Sequence, residues 1–298
     1  MGYERLPDVS VILPIHGNPI FLRETIKSIE KQIDCLFEIV VILDRAEQWV
    51  VDYFAQLRIQ DIHISVLDSP KGGIADAINL GIQSARSQMI ARIDSDDTME
   101  PDRLISQLNF LLENPDISVV GTQVNFIDSQ NHRIKKSRYP ISQKSICAIL
   151  PIRNCIAHPS VMFRKQLFSF GFHYNPEFNG VEDYELWLRV SQEFNIANMP
   201  KALTNYRVWE GQVTKTRLEQ RSALEVKARN QYIKNLGLPP NNLKARRIVL
   251  AATCLNHAIN QREKKVWKQA IWGLCAFSFV PVRILRAIIS QPKEQKNA

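Results

Sequence analysis

Met89-Ile90-Ala91-Arg92-Ile93-Asp94-Ser95-Asp96-Asp97 runs from a mainly apolar segment straight into three carboxylates within four positions. Like charges repel, so a cluster this dense is costly to hold together unless a cation or hydrogen-bond donors neutralise it. If residues 89–93 form a strand buried in an α/β sheet, its carboxyl end opens onto the crevice where such sheets bind ligands. Hard oxygen ligands there suit Mg2+ or Mn2+. The same acids also suit the start of a helix, because Thr98-Met99-Glu100-Pro101-Asp102 supplies Pro for a first turn and acids for the positive helix end. Capping uses one or two acids and three exceed that need, yet the patch alone leaves both roles open.

Upstream, Val9-Ser10-Val11-Ile12-Leu13-Pro14 predicts a short buried strand, and Pro19 to Glu30 follows with Phe21, Leu22, Ile26 and Ile29 at helical spacing. Phe37 to Leu43 predicts a second strand ending at Asp44, Ala46 to Leu57 a helix, and Ile62 to Leu67 a third strand. Gly72-Gly73 then precedes an Ala-rich helix over Ile74 to Ala85. Strands alternating with helices of this length imply an α/β, Rossmann-like, mostly parallel sheet with helices on both faces. Asp44 and Asp94 both close strands, and in a doubly wound sheet those ends share one edge.

Downstream, Pro101 to Glu113 predicts a helix stopped by Asn114-Pro115, and Val119 to Ile127 a strand before the turn residues Asp128-Ser129-Gln130-Asn131. Ser160 to Phe163 and Ala202 to Arg207 are further strand candidates. Between them Asp183, Leu186, Trp187, Val190 and Phe194 form one helical stripe headed by an acid. Beyond Thr214 the pattern is helical, with Leu218 to Leu236 ended by Gly237-Leu238-Pro239-Pro240, then Leu243 to Ile259, then Glu263 onward.

The net charge of +8 is unevenly placed. From Lys215 onward 17 Lys and Arg face 4 Asp and Glu, whereas residues 1–214 hold 21 against 26. A mildly acidic body with a strongly basic C-terminal region suggests contact with an anionic surface. Aromatic residues are not interleaved with those charges, which argues against nucleic acid. Residues 269–282 are uncharged but, at 14 residues, shorter than the roughly 20 that span a bilayer. Flanked by Lys264, Lys265, Lys268, Arg283 and Arg286, they suit the membrane interface or a seam between copies of the chain. Five scattered cysteines with no C-x-x-C pair fit a reducing, cytoplasmic setting, and the N-terminus lacks a secretory pattern.

Val9 to Pro14, Asp44, Lys71-Gly72-Gly73 with Ala77-x-Asn79-x-Gly81, Asp94-Ser95-Asp96-Asp97 and Glu182-Asp183 together resemble the ordered motifs of family 2 glycosyltransferases of the GT-A fold. The likeness covers roughly residues 8 to 214. It implies inverting transfer of a sugar from a nucleotide sugar, with a UDP-sugar favoured. Pro14, Asp44, Lys71, Gly73, Asn79, Asp94 and Ser95 would then line the nucleotide, Asp44 taking the base and Asp94 the ribose side. Asp96 would coordinate Mg2+ or Mn2+, and Asp97 would support the site or cap the next helix. Asp183 would be the general base, with Glu182 beside it. His158, within Asn154-Cys155-Ile156-Ala157-His158-Pro159-Ser160, would line the acceptor side. Arg207 and Gln212 would lie near the diphosphate. Two departures stand out: Ile78 replaces a frequent Arg, and Trp209 stands where many relatives carry His.

These motifs divide the chain into a transferase domain over residues 1–214 and a basic helical region over 215–298. The nucleotide-sugar half is expected over about 1–98 and the acceptor half over 99–214. The expected activity is transfer to a glycan or lipid-linked acceptor in cell-surface polysaccharide synthesis, at the inner face of the cytoplasmic membrane. A sugar nucleotidyltransferase is the alternative enzyme, although Pro14-Ile15-His16-Gly17-Asn18-Pro19 makes a poor phosphate cradle. A catalytically silent nucleotide-binding scaffold is the alternative outside enzymes.

Overall fold

The computed structural model describes residues 5–211 and 218–237. Its first half alternates strand and helix: β1 (Val9–His16), α1 (Leu22–Glu30), β2 (Phe37–Asp44), α2 (Gln48–Gln56), β3 (His63–Asp68), α3 (Ile74–Ser84) and β4 (Met89–Arg92). These strands lie in the order β3-β2-β1-β4, all parallel. The paired carboxyl ends of β1 and β2 put His16 directly beside Asp44.

Sequence explains this half well. Val9, Val11, Leu13 and Ile15 on one face of β1 pack with α1, α2 and α4 (Arg103–Glu113), while Ile12 on the other face packs with α3. Burial on both faces is what turns a parallel strand into a continuous apolar run. Gly81 lets α3 lie close to the sheet, since a Cβ there would come within 2.5 Å of Ile42 and 2.9 Å of Ile12.

The second half is mixed in direction. It comprises β5 (Thr98–Met99), α4, β6 (Ile117–Ile127), β7 (Arg133–Lys136), α5 (Gln143–Ile149), β8 (Met162–Arg164), α6 (Gln166–Ser169), α7 (Glu182–Glu193) and β9 (Asn195–Arg207). The sheet continues β4-β8-β6-β9-β5, with β7 hairpinned onto β6. β8 runs antiparallel to both β4 and β6, whereas β6 and β9 are parallel. The predicted parallel pairing therefore holds for the first four strands and gives way beyond β4.

β9 begins seven residues before the predicted strand at Ala202. Its register against β6 jumps between Met199 and Ala202, a bulge that accommodates Pro200, which has no N–H to donate. Buried polar side chains tie α4 to the sheet, one of them to the end of β4. Gln107 donates to the Val120 and Ser160 carbonyls, and Arg103 to the Arg92 carbonyl, at 2.7–3.0 Å.

α8 (Leu218–Asn235) packs on α7, burying Ala228, Arg229 and Ile233. Arg229 donates to the carbonyls of Pro151 and Ile152. The start of the basic region is thus docked on the body. Residues 269–282 and the remaining predicted helices beyond Gly237 lie outside the described residues. No helix among the described residues is long and apolar enough to cross a membrane.

Candidate active site

β4 ends at the carboxyl edge of the sheet, and the chain turns sharply there, with the Asp97 amide donating to the Asp94 carbonyl at 3.2 Å. The turn gathers Asp94, Asp96 and Asp97, so that one oxygen from each carboxylate lies within 4.8 Å of the others. Ser95 sits half-buried between them. Arg92, buried behind the cluster, grips both Asp94 oxygens with its two terminal nitrogens. Asp97 is fully buried; one oxygen accepts from the Arg207 amide at 2.7 Å and the other has no hydrogen-bond partner.

Burial pushes the Asp94 carboxyl up to about 6, Arg92 pulling it back and Asp96 and Asp183 adding to the rise. Burial likewise raises Asp97 well above the usual carboxylate range, helped by Asp96 and Asp94. Three carboxylates, one of them with an orphaned buried oxygen, form a donor set that fits a divalent cation.

Asp44 closes β2. Its Oδ2 accepts from the Gly73 amide at 2.9 Å and lies 3.1 Å from His16 Nδ1, while Oδ1 accepts from Arg45 Nε at 3.2 Å. Burial opposes ionisation, but the Gly73 amide, Arg45 and His16 outweigh it and hold the carboxyl below its ordinary range. Gly73 has φ +95°, and a Cβ there would come within 2.7 Å of Asn179 Nδ2. Asn179 in turn accepts from the Ala75 amide, capping the start of α3. Pro14 is buried in β1 beside Ile42, and Lys71 is exposed just before Gly72.

The first turn of α7 carries Glu182 and Asp183. Asn154 donates to Asp183 at 2.7 Å, and Glu182 accepts from the Gly180 amide at 2.6 Å. His158 stands behind them, its Nε2 2.9 Å from the Tyr174 hydroxyl and its Nδ1 3.7 Å from Glu182. Burial, then the nearby Arg92 charge, pushes His158 well below its ordinary value, so this separation joins a neutral imidazole to a carboxyl and is no ion pair. Burial and the Asp183 charge push Glu182 up to about 7. Burial also raises Asp183, but the Tyr184 amide, Arg221, Arg92 and Asn154 all favour its charged form. The two acids act on one another, so their protonation belongs to the pair.

Arg92 joins the two sides. Its charge acts on Asp94 and Asp97 toward the cluster and on Tyr174 and Glu182 toward α7. Asp183 in turn raises Asp94. The two acidic groups, far apart in sequence, are therefore near enough for their charges to act on one another.

Two expected contacts, those of Asn79 and Arg207, are made within the protein. Asn79 bonds the Tyr174 backbone with both arms of its amide, at 2.8 and 3.0 Å, and so anchors the loop before α7 to α3. Its amide is directed at the protein rather than at a nucleotide. Arg207 is fully buried: its guanidinium donates to the Asp96 and Asp128 carbonyls and to Glu24, and packs 4.1 Å over the Phe21 ring. It braces the acidic turn from behind instead of meeting a diphosphate. Gln212 lies outside the described residues.

Sequence reasoning passed over Tyr174 and Asn179 because neither sits in a periodic segment. Trp209 donates its indole N–H to Asp96 Oδ2 at 2.9 Å, a role hidden by the departure from His.

A parallel nucleotide-type half ending in an acidic cluster, completed by a mixed half with a buried acid pair, defines a glycosyltransferase of the GT-A type. Residues 10–171 match the model of glycosyl transferase family 2, and the chain belongs to that family. Among curated proteins it is 32% identical over 225 residues to the Escherichia coli O-antigen biosynthesis glycosyltransferase WbnJ, covering 73% of this chain and 86% of that one. The Erwinia amylovora amylovoran biosynthesis glycosyltransferase AmsE is 27% identical over 214 residues, 70% of this chain and 79% of the relative. Among solved structures, S. aureus TarS 1–349 in complex with UDP-GlcNAc superposes with a TM-score of 0.66 at 18% identity, covering 93% of this chain and 82% of that one. The mannosyltransferase PcManGT from Pyrobaculum calidifontis, in complex with GDP-Man and Mn2+, gives 0.55 at 15% identity, over 96% of this chain and 86% of that one. At these identities the structural likeness speaks to the fold.

Proposed function

We propose that this glycosyltransferase moves a sugar, with inversion, from a nucleoside diphosphate donor to a glycan or lipid-linked acceptor in the assembly of a surface polysaccharide. The observation that carries the reading is that Asp183 lies near enough to Arg92 and to the Asp94, Asp96 and Asp97 cluster for their charges to act on one another. The names of WbnJ and AmsE support polysaccharide assembly, and TarS with UDP-GlcNAc supports a UDP-sugar. PcManGT with Mn2+ supports a divalent ion. Membership of the family sets aside the nucleotidyltransferase alternative.

In this reading Asp44 holds the nucleoside base, and Pro14, Lys71, Gly73 and Ser95 line the nucleotide. Asp94 meets the ribose side while Arg92 fixes its orientation. Asp96, with its two neighbours, would hold Mg2+ or Mn2+, which supplies Lewis-acid neutralisation of the charge on the leaving diphosphate. Asp183, held in place by Asn154, takes the acceptor hydroxyl proton as that oxygen attacks the anomeric carbon. The bond from that carbon to the diphosphate oxygen breaks on the opposite face, which inverts the configuration. Glu182 and neutral His158 line the acceptor side. The basic region beyond Lys215 brings the enzyme to the inner face of the cytoplasmic membrane, where a lipid-linked acceptor is presented.

The experiment is a donor screen with the full chain, Mn2+ and acceptor extracts, reading nucleoside diphosphate release and the anomeric configuration of the product by NMR. Turnover of a UDP-sugar with inversion is expected. Retained configuration would overturn the mechanism, and binding without release would leave a silent scaffold. Flotation with anionic liposomes, comparing the full chain with one ending after Gly237, tests the membrane contact, and equal flotation removes it.

A further inference from the structure

The end of β9 aims three donors at the acidic turn: the Arg207 amide at Asp97, Arg207 Nε at the Asp96 carbonyl, and the Trp209 indole N–H at Asp96 Oδ2. The first two hold backbone and a buried acid. The third alone among them holds the Asp96 side chain. An indole N–H donates but cannot ligate a metal or ionise, so position 209 contributes an orienting bond where a histidine would contribute a ligand.

The ring itself is closely seated. It meets Phe21 edge-on at 5.5 Å between centroids, and Gly211 lies against its six-membered ring so tightly that a Cβ at 211 would fall inside the ring's van der Waals envelope. Phe21 is pinned from the other side by the Arg207 guanidinium. Glycine at 211 is therefore the condition for the indole to lie over the turn and reach Asp96.

We propose that Trp209, seated by Gly211 and Phe21, is a positioning residue that fixes the Asp96 carboxylate for cation binding. The proposal rests on the assignment of Asp96 as a metal ligand made above. Carboxylates that ligate metals are themselves held by outer hydrogen bonds, and loss of such a partner typically weakens metal affinity about 10- to 100-fold. The structure thus makes the loop after β9 a determinant of metal affinity although it supplies no ligand itself.

The test uses the full chain, titrated with Mn2+ in the presence and absence of UDP, with free Mn2+ read by electron paramagnetic resonance. Trp209→Phe keeps a ring against Phe21 and Gly211 but removes the N–H; it should weaken Mn2+ binding about 10- to 100-fold. The Mn2+ needed for half-maximal rate should rise by the same factor, with the lost rate recovered at saturating Mn2+. Gly211→Ala displaces the ring without deleting the donor and should shift Mn2+ affinity in the same direction. Asp96→Asn should abolish the binding, and adding Trp209→Phe to it should change nothing further.

If Asp96→Asn abolishes binding while Trp209→Phe and Gly211→Ala bind Mn2+ like the parent, the positioning role is wrong and the metal assignment stands. A lowered melting temperature and rate with unchanged Mn2+ affinity would overturn the proposal in the same way, leaving Trp209 a packing residue. If Asp96→Asn binds Mn2+ normally, the metal assignment itself falls.

Discussion

Asn154 Nδ2 sits 2.7 Å from Asp183 Oδ2, and the same amide's oxygen accepts the Ile156 N–H, so the loop before β8 fixes the acid at the start of α7. A carboxylate gripped in this way keeps one orientation toward an incoming hydroxyl. Asp183→Asn should lower kcat about 10²- to 10⁴-fold, the range for loss of a general base, and leave UDP binding close to the parent by calorimetry. Asn154→Ala should lower kcat less, with donor KM unchanged. An Asp183→Asn variant that turns over near the parent rate would show the base lies elsewhere.

The pH profile should carry the signature of the acid pair. Glu182 is pushed up to about 7 by burial and by Asp183, so kcat/KM should rise with pH through an apparent pKa near 7 that belongs to the pair. Glu182→Gln removes the proton-holding partner and should move that limb to lower pH. An unmoved limb in Glu182→Gln would exclude the pair as its origin. The sign for stability is opposite. A raised carboxyl pKa means the folded state binds a proton the unfolded chain has lost, so this acid's contribution to stability falls as pH rises from about 4.5 to about 7. Melting temperatures of Glu182→Gln should be flatter across that window.

Asp96 and Asp183 should separate binding from chemistry. Asp96→Ala is expected to weaken Mn2+-dependent UDP binding and to raise donor KM, whereas EDTA should produce the same loss in the parent and none further in the variant. Metal-independent UDP binding of equal strength in parent and Asp96→Ala would remove the cation from the donor site.

How far the sequence reached depends on how many faces of each element are buried. β1, β2 and α3 were legible because strands covered on both sides become unbroken apolar runs and the helices carry a clear stripe. β7 was missed because Arg133 to Lys136 is a charged edge strand with three exposed residues, which shows no alternation. α5 was missed because it is only seven residues long, although Ser142 caps it. Among site residues, Asp44 closes β2 and Asp94 follows β4, parallel strands of one sheet whose carboxyl ends share an edge. Arg207 and Asn79 did not behave as the motifs implied, because sequence shows which groups a side chain offers and not whether backbone carbonyls already occupy them. Arg92 lies in an apolar strand run, and only the fold shows that it is buried with its charge acting on both sets of acids.

Asn79 offers the clearest test of that last distinction. Its amide makes two hydrogen bonds to the Tyr174 backbone, and Tyr174 then presents its hydroxyl to His158 at 2.9 Å. Asn79→Ala leaves a partly buried N–H and C=O unsatisfied, at about 1–3 kcal/mol for each group that finds no water. The expected result is a clear drop in melting temperature with UDP affinity unchanged. Tyr174→Phe keeps the anchored backbone and deletes only the bond to His158, so it should destabilise by less, about 1 kcal/mol, and its effect should fall on kcat through the acceptor side. A selective loss of UDP affinity in Asn79→Ala at parental stability would instead restore Asn79 to the nucleotide site.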